Sequence, residues 1–356
     1  MRTLIRPTAF VDSPFGHDGK VARLAGGLNW FAAAELIGVD GAKRVSAELV
    51  GVDGIESRFD DDMAAQWKAL TGARAPLRLG ERVVRLDQPQ VMAIVNATPD
   101  SFSDGGQFAD ASAAAAAGAD MARDGAAIVD VGGESTRPGA KAVWEGDEIE
   151  RIAPVIRQLA SGGAAVSVDT RKADVMTAAL EAGARMINDV SALTYDDRSA
   201  GVAAAAGVPV VLMHHRGGPE SMQDEPRYGD VLVEVYLWLE ERIQAAEAAG
   251  IARGKILIDP GFGFGKNVAH NLELMNGLAL LHSLGCPIVV GASRKRTIGA
   301  LAGEAPADKR LGGSIAFAIK AVEQGAQIVR VHDVFETVQA LKIWRGLRDQ
   351  ALTPRL

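Results

Sequence analysis

Apolar positions in this chain gather into eight short runs, each closed by a polar or charged residue. The runs are VMAIVN (91–96), AIVDVGG (127–133), VSVDT (166–170), MINDV (186–190), VVLMH (210–214), ILIDPG (256–261), IVVGAS (288–293) and IVRVHD (328–333). Continuous stretches rich in Val and Ile suit strands buried on both faces of a parallel sheet. The polar residue stands at the C-terminal end every time: Asn96, Asp130, Asp169, Asn188, His214, Asp259, Ser293, and the pair Arg330 and His332. A (β/α)8 barrel of the TIM type opens those strand ends on one face and places its chemistry there.

Segments between the runs carry a helical period. Residues 108–123 are rich in Ala, the strongest helix former. Between 229 and 249, Leu232, Val235, Tyr236, Leu239, Ile243 and Ala246 recur at helical spacing, as do Val334, Val338, Leu341 and Trp344 in 334–347. Strand and helix in regular alternation favour a closed barrel over an open sheet, and no G-x-G-x-x-G follows the first strand. Residues 77–86, LRLGERVVRL, alternate around Gly80-Glu81 and predict a hairpin across the barrel floor. Residues 1–76 stand outside the repeat. They predict a small α/β or irregular extension of unknown role, followed by a barrel over 77–350.

Composition narrows the setting. The chain has 356 residues, a net charge of −7 and an apolar fraction of 48%, enough for a large core. With no long basic run, nucleic acid and anionic membranes are poor partners. The single Cys286 excludes an internal disulfide framework and a multi-cysteine zinc site, and it reads as a buried small side chain. No stretch is apolar enough to span a bilayer and no apolar signal core opens the chain, so a cytoplasmic location is expected.

Strand one runs into NATPDSFSDGG (96–106), long for a strand-to-helix loop and composed like a lid. With DVGGESTRPGA (130–140), SVDT (167–170), IND (187–189), LMH (212–214), IDPGFGFGK (258–266), GASRKR (291–296) and RVHD (330–333), it resembles the dihydropteroate synthase family, motif for motif and in order. The resemblance covers about 77–350. Departures are small: Ala97 replaces a larger apolar residue, His215 follows His214, and Arg296 follows Lys295.

The resemblance implies condensation of 6-hydroxymethyl-7,8-dihydropterin pyrophosphate with p-aminobenzoate, releasing pyrophosphate by an SN1-like route, with Mg²⁺ as cofactor. The residues suit those substrates. The flat polar edge of a pterin calls for fixed carboxylates and amides. Asp259 can accept two parallel hydrogen bonds, Asp169 and Asn188 can complete the edge, and Lys295 can donate to a ring acceptor. Taken singly, each of these Asp and Asn residues also suits a helix cap. Thr136, Met213 and Phe264 join the pterin set by resemblance. Arg330 and His332 leave strand eight on one side, where barrel phosphate sites occur, and are expected to hold the pyrophosphate; a salt bridge to Asp333 is the alternative. Asn96 resembles the family residue that holds Mg²⁺ beside the pyrophosphate. Asp130 and Asp169 are placed to stabilise a pterin cation.

The same resemblance assigns Thr98, Pro99 and Phe102, with Asp104, Arg137, Ser293 and Arg294, to ordering p-aminobenzoate and to the catalytic loops. His214 and His215 are read as pocket lining, because an aniline attacks as the neutral amine and needs no strong base. Sulfonamide binding and a homodimer are further implications of the family. Two other readings remain: a pterin-binding methyltransferase, which lacks the pyrophosphate site, and a non-catalytic pterin-binding protein, which predicts degraded loops.

Overall fold

The computed structural model describes residues 1–97, 106–135, 142–217 and 226–353. The extension comes first. Strands β1 (Arg2–Val11), β2 (Ala22–Arg23), β3 (Trp30–Asp40) and β4 (Lys43–Gly51) form an antiparallel sheet, with β3 flanked by β1 on one side and by β4 and β2 on the other. A short helix α1 (Val52–Ile55) leads to α2 (Asp61–Thr71). The acidic stretch ahead of α2 is its start signal: Asp60 accepts a hydrogen bond from the Met63 N–H at 2.8 Å. Strand alternation sends neighbours to opposite faces. Ile5, Ala34 and Leu36 therefore pack with Met63 and Leu70 of α2, while Leu4, Ile37 and Val39 join the core of the barrel wall; Phe31, near the start of β3, also packs on the α2 side.

The predicted hairpin follows as β5 (Leu77–Leu79) and β6 (Arg82–Val84). The eight runs then form β7 (Gln90–Asn96), β8 (Ile128–Gly132), β9 (Val166–Asp169), β10 (Met186–Asp189), β11 (Val210–Met213), β12 (Ile256–Asp259), β13 (Val289–Val290) and β14 (Ile328–Val331). All pair in parallel, with β14 beside β7, and a bridge between Ile258 and Ile288 joins the two ends of the sheet into a ring. Helices fill the crossovers: α3 (Gly106–Arg123), α4 (Glu145–Ser161), α5 (Ala173–Ala182), α6 (Ser199–Ala206), α7 (Val231–Ala248), α8 (Val268–Asn276), α9 (Arg296–Leu301) with α10 (Leu311–Glu323), and α11 (Val334–Ala351). This is the expected (β/α)8 barrel.

Two apolar layers fix it. Outward-facing residues such as Val129, Val131, Val166, Val168, Val210 and Leu212 pack under the helices. At the floor, Met92, Ile128, Met186, Val211, Leu257 and Ile328 meet Leu77, Leu79, Val84 and Leu86 of the hairpin segment. The hairpin is thus a plug. Among the described residues no helix is long and apolar enough to cross a membrane.

Candidate active site

Every second residue of a barrel strand points inward. Two residues above the apolar floor, each strand therefore presents its next inward side chain. Ile128 is followed by Asp130, Met186 by Asn188, Val211 by Met213, Leu257 by Asp259, and Ile328 by Arg330 then His332. The strand-end polar residues meet at one mouth for this reason.

There they make one connected set. Asp130 Oδ2 accepts from Asn188 Nδ2 at 2.9 Å and from Arg330 Nε at 2.6 Å. Arg330 Nη2 donates to Asp169 Oδ2 at 2.6 Å. One guanidinium thus spans carboxylates from β8 and β9, and the Asp130 Oδ1 is buried with no hydrogen-bond partner among the described residues. Burial pushes the Asp169 carboxyl up to about 7, with Arg330 pulling against it and the Asp130 charge adding to the rise. Although burial opposes its charge, Arg330 is held firmly protonated by its two carboxylates.

Asp259 stands across from this set. Its Oδ1 accepts the Gly261 N–H at 2.7 Å. Gly291 lies between Asp259 and Arg330: a Cβ there would stand 3.7 Å from Asp259 Oδ2 and 3.9 Å from Arg330 Cβ, in ordinary contact with both. Burial raises the Asp259 carboxyl, opposed by Lys295 and the Gly261 N–H. Burial likewise lowers Lys295 to about 8, opposed by Asp259. The Lys295 ammonium donates to the Phe262 carbonyl and lies 4.4 Å from the centre of the Phe264 ring. Asp259, Asn188 and Lys295 thus share one end of the barrel, with Met213 paired to Asp259 across β11 and β12.

The loop after β12 is built on glycine. Gly261 and Gly265 both have positive φ, and a Cβ on either would meet backbone, at 1.8 Å from the His214 oxygen and 2.4 Å from the Arg216 oxygen. Lys266 ties this loop together from below. Its amino group, which burial holds well below the usual lysine range, donates to the carbonyls of Gly261 and Phe264 at 2.9 and 3.1 Å and lies 2.8 Å from His214 Nδ1. Burial, with Lys266 beside it, keeps His214 well below its usual range, which favours the neutral imidazole.

At strand ends seven and eight, Ser293 Oγ and His332 Nδ1 are 3.1 Å apart. Asp333 pairs with Arg294 (Nε to Oδ2, 3.0 Å), and Arg330 pairs with Asp130 and Asp169. Asn96 sits beside Gly132 at the top of β7. Thr98, Pro99, Phe102, Asp104, Thr136 and Arg137 lie outside the described residues.

One group escaped the sequence reading. Glu134, just past β8, accepts from Arg171 at 3.2 Å and from the Val143 N–H at 3.0 Å. Lys172 donates to the Val143 carbonyl at 2.7 Å and to the fully buried Glu148 at 2.6 Å. These four side chains tie the end of β8, the approach to α4 and the start of α5 into one ionic clamp. The usable signal was position: Glu134 and Arg171-Lys172 lie within a few residues of the strand-end aspartates.

Residues 92–332 match the family model described as "Pterin binding enzyme". The dihydropteroate synthase of Escherichia coli (strain K12) is 47% identical over 259 residues, which is 72% of this chain and 91% of that protein. The chain belongs to the pterin-binding enzyme family, with the dihydropteroate synthases. Among solved structures of this family, the Xanthomonas albilineans dihydropteroate synthase with 4-aminobenzoic acid aligns at a TM-score of 0.74 and 48% identity, covering 79% of this chain and 100% of that one. The enzyme from the same organism in complex with 7,8-dihydropteroate aligns at 0.71 and 45%, covering 78% and 100%. The family match begins at residue 92, after the extension and the hairpin plug.

Proposed function

We propose that this family member condenses 6-hydroxymethyl-7,8-dihydropterin pyrophosphate with p-aminobenzoate to form 7,8-dihydropteroate and pyrophosphate. One observation carries the reading: Asp259, Asn188, Lys295 and Arg330 converge on one mouth, with carboxylates facing cations across Gly291. The polar pterin edge fits the Asp259–Asn188–Lys295 side. The diphosphate fits Arg330 and His332, on the strand where barrels commonly bind phosphate.

In the dissociative route, the bond from the pterin methylene to the diphosphate oxygen breaks first, and its electron pair leaves with the diphosphate. Asp130, together with Asp169 in its ionised form, stabilises the resulting delocalised cation. The neutral amine of p-aminobenzoate then forms the C–N bond and releases a proton to solvent. Ser293 and Arg294, with Thr98, Pro99, Phe102, Asp104 and Arg137 of the two loops, are assigned to holding the second substrate, and Thr136 to the pterin. The Arg294 guanidinium is held by Asp333.

Mg²⁺ fits as an ion carried mainly by the diphosphate. The chain offers the Asn96 amide oxygen, and among the described residues no group of three or more His, Cys, Asp or Glu could hold a metal. When bound, Mg²⁺ would neutralise charge on the leaving diphosphate, and Asn96 would orient it. A homodimer in the cytoplasm completes the proposal.

Pyrophosphate release tests it. Release should require p-aminobenzoate, pterin pyrophosphate and Mg²⁺ together; release without p-aminobenzoate would indicate hydrolysis. A sulfonamide titrated calorimetrically in the presence of pterin pyrophosphate should bind as a mimic of p-aminobenzoate. No heat of binding would count against the second-substrate site.

A further inference from the structure

The extension runs the height of the barrel wall. At the Trp30 end of β3, the Asn29 amide donates to the Val322 and Glu323 carbonyls at the C-terminal end of α10, at 2.7 and 3.3 Å. Near the end of α11, Arg348 donates to the Val11 and Leu28 carbonyls. Crossover helices end at the floor and begin at the mouth. At the other end of β3, the turn into β4 brings Arg44 Nε to Asp230 Oδ2 at 2.7 Å. Asp230 is the N-cap of α7, its Oδ1 accepting the Val233 N–H at 3.0 Å, so this contact lies on the mouth side.

From Asp230, contacts continue without a gap to the pterin wall. Glu234, in the first turn of α7, accepts from the Gly229 N–H at 2.6 Å and from Arg216 Nη2 at 2.7 Å. The Arg216 guanidinium lies 4.1 Å from the Tyr228 ring centre. The Tyr228 hydroxyl donates to the Gly265 carbonyl at 2.9 Å. Gly265 follows Phe264, the ring beneath the Lys295 ammonium.

We propose that Arg44 is a positioning residue for the pterin site. It holds the start of α7 and, through Glu234, Arg216 and Tyr228, the Phe264 wall. The inference rests on the function proposed above and gives the extension a part in it. The pair is sheltered, with side chains 30% and 12% exposed, and Glu35 lies 3.7 Å from the Arg44 Nη1. By contrast, Arg58, in the turn after α1, pairs with Glu48 of β4 at 51% and 54% exposure, where an ion pair has little effect.

The test uses steady-state kinetics of the full chain. Arg44→Met should raise KM for pterin pyrophosphate about three- to tenfold while kcat and KM for p-aminobenzoate stay within about twofold. Asp230→Asn, which keeps the helix cap but weakens the pair, should move the same parameter the same way. Arg44→Lys should recover part of the loss, and Arg58→Met should match wild type. Combined with Tyr228→Phe, Arg44→Met should cost less than the product of the two single effects. An unchanged pterin KM, simple multiplicativity, or an equal loss in every parameter would overturn the proposal. If Arg44→Met does not fold, Asp230→Asn and Arg44→Lys decide. A wild-type chain that turns over nothing would sink the activity reading, and pterin binding by titration would still decide the role of Arg44.

Discussion

Asp259 carries its charge deep in the mouth, with one oxygen committed to the Gly261 N–H. Asp259→Asn keeps the shape, removes the charge and places a donor where the pterin edge needs an acceptor. Pterin affinity should fall about 100-fold or more, measured by calorimetry, because charge-assisted hydrogen bonds are lost and a donor is left facing donors. Lys295 adds a pH dependence. Burial lowers it to about 8, so the binding form, the ammonium, is present below that value and lost above it. Pterin affinity should fall as pH rises through about 8, and Lys295→Arg, charged throughout, should flatten that fall. Asp130, Asp169, Asn188, Asp259 and Arg330 were legible because strand period two leaves no choice of face once the floor residue is apolar. Their pairing was not legible. Asp333 is adjacent to His332 in sequence, yet it takes Arg294, while Arg330 reaches inward to carboxylates on β8 and β9. Glu134, Lys172 and Glu148 were missed because their contacts join three elements and leave no local spacing.

At the scale of elements, the loop after β12 depends on backbone that only glycine adopts here. Gly261→Ala would drive a methyl into the His214 carbonyl, and about 3 kcal/mol or more of stability should be lost, read by chemical denaturation, together with pterin binding. The ionic clamp between the end of β8, the approach to α4 and the start of α5 gives a paired test. Lys172→Met leaves Glu148 buried without its cation and should cost about 3–5 kcal/mol, whereas the double change Lys172→Met with Glu148→Leu should recover much of it. Strands and long helices were readable because their periods are strong: the segment predicted over 229–249 is α7 at Val231–Ala248, and that over 334–347 is α11 at Val334–Ala351. The extension was less so. In β3 the run Phe31-Ala32-Ala33-Ala34-Glu35 carries a weak alternation, since both faces are partly covered, one by α2 and one by the barrel.

For the whole molecule, the apolar floor and the chemistry occupy opposite ends of the barrel. The fold rests on apolar layers and on ionic groups internal to the chain, so a chelator should leave the thermal midpoint where it is while stopping pyrophosphate release. A midpoint that drops with chelator would reveal a structural metal. The plug formed by Leu77, Leu79, Val84 and Leu86 has a further result. It makes the barrel a room with a single doorway. Whatever sits deepest has to arrive first and depart last, and newcomers, leaving group and finished product must all use the same threshold.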